Sequence, residues 1–153
     1  MTTLLLVRHA SAADGPDDHD RPLTARGALE AEAMAAATLE AGWQPDLILA
    51  STARRTRATA AMFGAALGAP VRTAPALYGA GPRTLLDAAV GLGVASVMIV
   101  AHNPGIAMLA RSLSSNEIGG MVPCAVAAFS WDDDDWDVAS ATDPDRIWFR
   151  HPE

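Results

Sequence analysis

Two histidines and a group of arginines stand where apolar, strand-like runs of this chain give way to breakers. Arg8-His9 follows Leu4–Val7. Arg54, Arg55 and Arg57 follow Ser51, which closes Asp46–Ala50, and His102-Asn103-Pro104-Gly105 follows Val94–Ala101. In open α/β sheets, ligands gather outside the carboxyl ends of the strands. If these three strands are parallel neighbours, two imidazoles and at least two guanidiniums meet at one edge. Guanidinium forks match phosphate oxygens bidentately, and a neutral imidazole is a competent nucleophile toward phosphorus. The chemistry implied is phosphoryl transfer, in which fixed cations meet the charge on the equatorial oxygens. Taken singly, a strand-end histidine is often a hydrogen-bonded structural residue and a helical arginine snorkels to water. The convergence is what points to an anion site.

The arginine group carries a second signal. Arg54, Arg55 and Arg57 fall in the first turns of a helix expected after Ser51. The macrodipole there is positive, so each cation costs about 0.3–1 kcal/mol unless compensated. A bound anion would compensate it and also use the free amides of the helix start. No glycine-rich Walker loop is present, which weighs against a nucleotide-driven kinase or ATPase.

The elements that must position these residues alternate. Thr3–Val7, Asp46–Ala50, Val94–Ala101 and Val122–Trp131 read as strands, with Pro70–Ala74 a weaker fifth. The first three are nearly continuous apolar runs, as expected of strands buried on both faces. Alanine-rich helices are expected from the N-cap Thr24 to Gly42, from Ser51 to about Gly68, over Arg83–Gly91, and from Pro104 onward. In the first of them Leu29, Ala33, Ala36, Ala37 and Leu39 are expected to form the apolar stripe. Val122–Ser130, Asp132–Asp135, Trp136–Ala139 and Ile147–Phe149 read as a hairpin or meander along the sheet edge. The class is α/β: a three-layer α/β/α sandwich with a mostly parallel central sheet and antiparallel C-terminal edge strands. At 153 residues, half of them apolar, the chain is expected to form a single domain spanning 1–153.

Net charge is -7, which argues against coating nucleic acid. The single cysteine, Cys124, forms no internal disulfide, and no run approaches membrane length. The expectation is a cytoplasmic protein with neither a nucleic-acid nor a membrane partner. Tyr78 and Trp43 are read as packing residues, with Met108, Leu109 and Leu113 in the core.

Leu6-Val7-Arg8-His9-Ala10 resembles the Arg-His-Gly signature of the histidine phosphatase superfamily, also called phosphoglycerate mutase-like. Ser51-Thr52-Ala53-Arg54-Arg55-Thr56-Arg57-Ala58-Thr59-Ala60 resembles its second motif, with Arg55 the aligned arginine. Ala101-His102-Asn103-Pro104-Gly105 resembles the motif of its second histidine. The resemblance spans nearly the whole chain. It implies a metal-independent phosphatase without cofactor, His9 as the phosphorylated nucleophile, and Arg8, Arg55 and His102 completing the phosphate pocket. Asp20-Arg21-Pro22-Leu23-Thr24-Ala25-Arg26-Gly27 and the short length look most like the SixA-type branch, whose members are phosphohistidine phosphatases. Its implied substrates are phosphohistidine on proteins or a small phosphorylated molecule. Arg21 is then a further phosphate or substrate contact, or the partner of Asp18 or Asp20.

Two departures matter. Ala10 replaces the signature glycine, so the backbone there needs no conformation open only to glycine. Alanine stands in Pro75-Ala76-Leu77-Tyr78 where many members carry a glutamate acid. A positioned general acid is worth about 10²–10⁴ in rate for a poor leaving group, so phosphohistidine or aryl phosphates are expected to outrun alkyl phosphates. Asp14, Asp17, Asp18 or His19, on a loop expected over the site, are the remaining proton donors. Three other functions compete: a broad small-molecule phosphomonoesterase, a phospho-ligand binding module, which would need only the arginines, and a metal-dependent hydrolase built on Asp17, Asp18, His19, Asp20 and a distant histidine. Consecutive residues make a poor chelate.

Overall fold

The computed structural model describes residues 1–153. Six strands form one sheet in the order β3-β2-β4-β1-β5-β6: β1 Thr2–Arg8, β2 Leu47–Ala50, β3 Val71–Thr73, β4 Ser96–Ala101, β5 Val126–Trp131 and β6 Arg146–Arg150. The pairs β3·β2, β2·β4 and β4·β1 are parallel, whereas β5 runs antiparallel to both β1 and β6. The helices are α1 Ala25–Glu40, α2 Arg54–Leu67, α3 Pro82–Val90, α4 Gly105–Leu113 and the short α5 Trp136–Ala139.

Successive strand residues point to opposite faces, and the cores follow that rule. Leu5, Val7, Ile48, Met98 and Val100 join Met34 of α1 and Phe63 of α2 in one cluster. Leu4, Leu6, Leu49, Val97 and Ile99 join Leu85 of α3 and Leu109 of α4 in the other. Both faces of the sheet are therefore covered, and the architecture is the expected three-layer sandwich. No helix is long and apolar enough to cross a membrane.

Several boundaries and faces differ from expectation. In α1 the buried face is Gly27, Glu30, Ala31, Met34, Ala35 and Thr38, while Leu29 and Leu39 are exposed. Close packing of α1 on α2 favours small side chains at the seam, so the leucines are turned outward. β5 begins only at Val126, because Cys124 adopts a left-handed conformation with φ 62°. That turn lets the Cys124 N–H donate to the carbonyls of Arg8 and His9. Trp136–Ala139 is helical rather than extended; the Asp135 side chain caps it by accepting from the Asp137 amide. Met108 lies outside the core, half-exposed, while Leu109 and Leu113 are buried.

Thr24 caps α1 as expected, its side chain accepting from Gly27 N–H at 3.0 Å. The Thr24 N–H donates to the Ser11 carbonyl, so α1 starts against the turn that follows His9. A Cβ on Gly27 would lie inside van der Waals contact of that same carbonyl oxygen. Gly27→Ala is therefore expected to cost about 1–3 kcal/mol and to lower turnover by displacing the Ser11 turn. Urea unfolding alongside steady-state kinetics measures both effects.

Candidate active site

Strand register places the first-predicted residues side by side. Arg8 pairs with Ala101 and Ala50 with Val100, so β1, β4 and β2 end at nearly one level. The His9 N–H donates to Ala101 O and the Ser51 N–H to Val100 O, each extending its ladder by one residue. His9, His102 and Ser51 thus emerge on adjacent strands. The imidazole centroids of His9 and His102 are 5.3 Å apart.

His9 is buried, and its Nδ1 lies 2.8 Å from the Ala10 carbonyl. A carbonyl can only accept, so Nδ1 carries the proton and Nε2 keeps its lone pair. The segment after it is fixed from below. The Ala10 N–H donates to Thr59 Oγ1 of α2, and Glu30 of α1 accepts from both the Ser11 amide (2.8 Å) and the Ser11 hydroxyl (3.0 Å).

His102 is held in the other tautomer. Arg55 Nη2 lies 3.2 Å from its Nδ1 and can only donate, so the proton sits on Nε2, 2.6 Å from Ser51 Oγ. The Ser51 hydroxyl then donates to Thr56 Oγ1 at 2.7 Å, and the Thr56 hydroxyl donates to the carbonyls of Ser51 and Ala53. Every proton along this chain has an acceptor.

Arg55 is buried on α2, and Arg8 is partly buried with Nη1 donating to Met121 O at 3.1 Å. The Nε–H of each guanidinium is buried without a partner. Two orphaned cationic donors beside the imidazoles are what an anion's oxygens would satisfy. Arg54 and Arg57 stay outside: Arg54 is 3.8 Å from Asp20, and Arg57 Nε donates to Thr52 O.

The mouth is closed by the 3₁₀ turn Asp18–Asp20 and by Tyr78. Arg55 Nη1 donates to Asp18 O at 2.6 Å and Nη2 to Asp18 Oδ2 at 3.1 Å. Tyr78 Oη donates to the same carboxylate at 2.5 Å and Arg21 Nη1 at 3.0 Å. The uncompensated charge expected at the start of α2 is therefore met by Asp18 and Asp20. Arg21 sits on Asp18 and on Ala13 O, as the ion-pair alternative foresaw. Tyr78 corrects its reading as a packing residue: its ring meets His102 and His19 edge-on, at 5.5 Å and 5.0 Å. Trp43 is buried, as expected.

Burial, then the positive charges of Arg55, Arg8 and Arg21, holds His9 down to about 4, against the pull of the Ala10 hydrogen bond. Burial, then Arg55 and His9, likewise holds His102 at about 4. Hydrogen bonds from Tyr78 and Arg21 keep the Asp18 carboxyl far below the usual carboxylate range, and Asp18 in turn raises the Tyr78 phenol. Asp18 is thus ionised and has no proton to give. No three His, Cys, Asp or Glu side chains gather closely enough to hold a metal.

Tyr78, Glu30, Ser51 and Thr56 were missed as site residues. Tyr78 follows β3, whose carboxyl end lies on the same sheet edge as that of β2. Glu30 is the one carboxylate in the buried phase of an alanine-rich helix. Both signals lie in the sequence once the strand order and helix phase are known.

Residues 4–79 match the model of the histidine phosphatase superfamily (branch 1). The uncharacterized protein Rv1276c of Mycobacterium tuberculosis is 43% identical over 114 residues, which is 71% of this chain and 70% of that protein. A structure provisionally described as the phosphohistidine phosphatase SixA from Agrobacterium tumefaciens is 32% identical, covers 85% of this chain and 92% of its own, and superposes with a TM-score of 0.78. A structure with the same provisional description from Nakamurella multipartitia is 29% identical over 99% of this chain and 96% of its own, with a TM-score of 0.88. The chain belongs to the histidine phosphatase superfamily, and it is a phosphatase.

Neutral imidazoles at ordinary pH have a direct signature. NMR titration of the His9 and His102 rings is expected to give midpoints near pH 4. Each folded value lies below the unfolded one near 6.5, so the stability tied to the neutral rings is present above pH 6.5. It is lost as pH falls toward 4. Saturating inorganic phosphate should raise the midpoints, because a bound anion favours the protonated rings.

Proposed function

We propose that His9 is the nucleophile of a two-step, metal-independent phosphatase whose substrate is phosphohistidine on a protein. The observation that carries this is the His9 tautomer, with Nδ1–H committed to Ala10 O and Nε2 free, beside unsatisfied donors of Arg8 and Arg55. His9 Nε2 attacks phosphorus while Arg8 and Arg55 hold the equatorial oxygens, and His102 joins them as a donor once a bound anion favours its protonated ring. The leaving group departs opposite His9, toward the mouth. Water then hydrolyses the phosphorylated imidazole in the same cradle. His102, with its proton on Nε2 shared with Ser51 and its Nδ1 toward Arg55, contributes as a fixed polar wall of the phosphate pocket. Arg21 is a further substrate contact at the rim.

The leaving group follows from the missing acid. Pro75–Leu77 forms a 3₁₀ turn without a carboxylate, and Asp18 is held ionised. An alkoxide would leave here without a proton from either of these positions, whereas an imidazole needs no such help. The provisional descriptions of the two SixA structures point the same way. Residues 1–153 act in this reading as one domain, without cofactor, in the cytoplasm, where Cys124 stays reduced.

Chelator-treated protein assayed on a phosphohistidine-bearing protein, an aryl phosphate and a sugar phosphate tests the proposal. The first two should turn over, with activity abolished in His9→Ala, and kcat/KM on the sugar phosphate should be lower by about 10²–10⁴. Equal kcat/KM on sugar and aryl phosphates would instead identify a broad phosphomonoesterase, and loss of activity to chelator would overturn the metal-independent mechanism.

A further inference from the structure

The charges of the site are arranged in two layers. Its floor is cationic: Arg8 and Arg55, with unpartnered Nε–H groups, beside two neutral imidazoles. Its rim is anionic, because Asp14, Asp17, Asp18 and Asp20 all fall in the loop between β1 and α1. Only Asp18 reaches inward. Its carboxylate accepts from Arg55 of α2, Arg21 of its own loop and Tyr78 beyond β3, so three separate segments converge on one side chain. A phosphoryl group gripped side-on by the free Nε–H of Arg55 together with its Nη2 would displace Asp18 from Nη2. The contacts with Arg21 and Tyr78 can persist. Both residues are more exposed than Arg55 and lie on the rim side.

We propose that Asp18 is a specificity-determining residue that selects substrates whose leaving group is a protonated nitrogen base, the ring of phosphohistidine above all. The inference rests on the phosphohistidine reading of the site and adds the residue that enforces it. Binding displaces the Asp18 carboxylate from Arg55 Nη2 and leaves it at the mouth, on the side of phosphorus opposite His9, where the leaving group sits. In phosphohistidine one ring nitrogen bears phosphorus and the other can carry a proton. The carboxylate accepts a charge-assisted hydrogen bond from that N–H and keeps the ring in its cationic form. As the His9 Nε2–P bond forms, the substrate P–N bond breaks and its electron pair stays on the departing nitrogen. The other ring nitrogen keeps its proton, and neutral imidazole leaves with no proton transfer. A departing alkoxide or phenolate meets the same carboxylate as repulsion. One side chain thus raises the barrier for esters and lowers it for the phosphoramidate.

The test compares wild type, Asp18→Asn and Asp18→Ala of the full chain on phosphoimidazole and on 4-nitrophenyl phosphate, with inhibition by inorganic phosphate measured alongside. The selectivity ratio, kcat/KM on phosphoimidazole over kcat/KM on the aryl ester, should fall about tenfold or more in both variants. Inorganic phosphate should inhibit them at several-fold lower concentration, because the carboxylate no longer competes for Arg55 Nη2, while Nη1 keeps its bond to the Asp18 carbonyl. A ratio unchanged within about twofold, or equal losses on both substrates, would overturn the role of Asp18 while leaving the phosphohistidine reading intact. Wild type that hydrolyses the aryl ester but not phosphoimidazole would overturn that reading and this inference together.

Discussion

Two guanidiniums, Arg55 buried and Arg8 partly buried, set the terms for everything around them beside two imidazoles. Burial first, and then charge repulsion, holds both rings at about 4, so each is neutral near pH 7. A neutral ring with one nitrogen committed to a backbone carbonyl has one place left to react, and in His9 that place is Nε2. The same guanidiniums leave two Nε–H groups unsatisfied. An anion would satisfy them, and the His9 Nε2 lone pair is free before one arrives.

The fold meets this constraint through register. Three parallel strands end nearly level, which fixes His9 against His102 and His102 against Ser51 without a long loop. Helices then add restraint from behind: Glu30 of α1 holds the Ser11 turn, Thr59 of α2 holds Ala10, and Thr56 ends the hydrogen-bond chain from His102. Each of these is a backbone or tautomer constraint rather than a contact with substrate. The floor residues His9, Ser51 and His102 each stand one residue beyond a strand, whereas Asp18 and Tyr78 of the mouth come from longer connections.

Much of this was legible in the sequence, for a physical reason. His9, Arg55 and His102 each lie within a few residues of an apolar run that can only be a buried strand, and parallel strands deliver their ends to one edge. Asp18 and Tyr78 were not legible as partners, because 60 residues separate them and the contact exists only once α2 and β3 are placed. The face of α1 was misread for a related reason. Its leucines suggested the stripe, but the seam with α2 is tight enough that Ala31 and Ala35 are buried there and Leu29 is exposed. Trp136–Ala139 turned helical through a local cap that a coarse strand pattern does not register.

The measurement that bears most directly on this account is the covalent intermediate itself. Wild-type protein quenched early in turnover of a labelled phosphoramidate, then digested and mapped by mass spectrometry, should carry one acid-labile, alkali-stable phosphoryl group, on His9. A single turnover that releases phosphate with no phosphorylated His9 at any quench time, or a label on His102 instead, would contradict it.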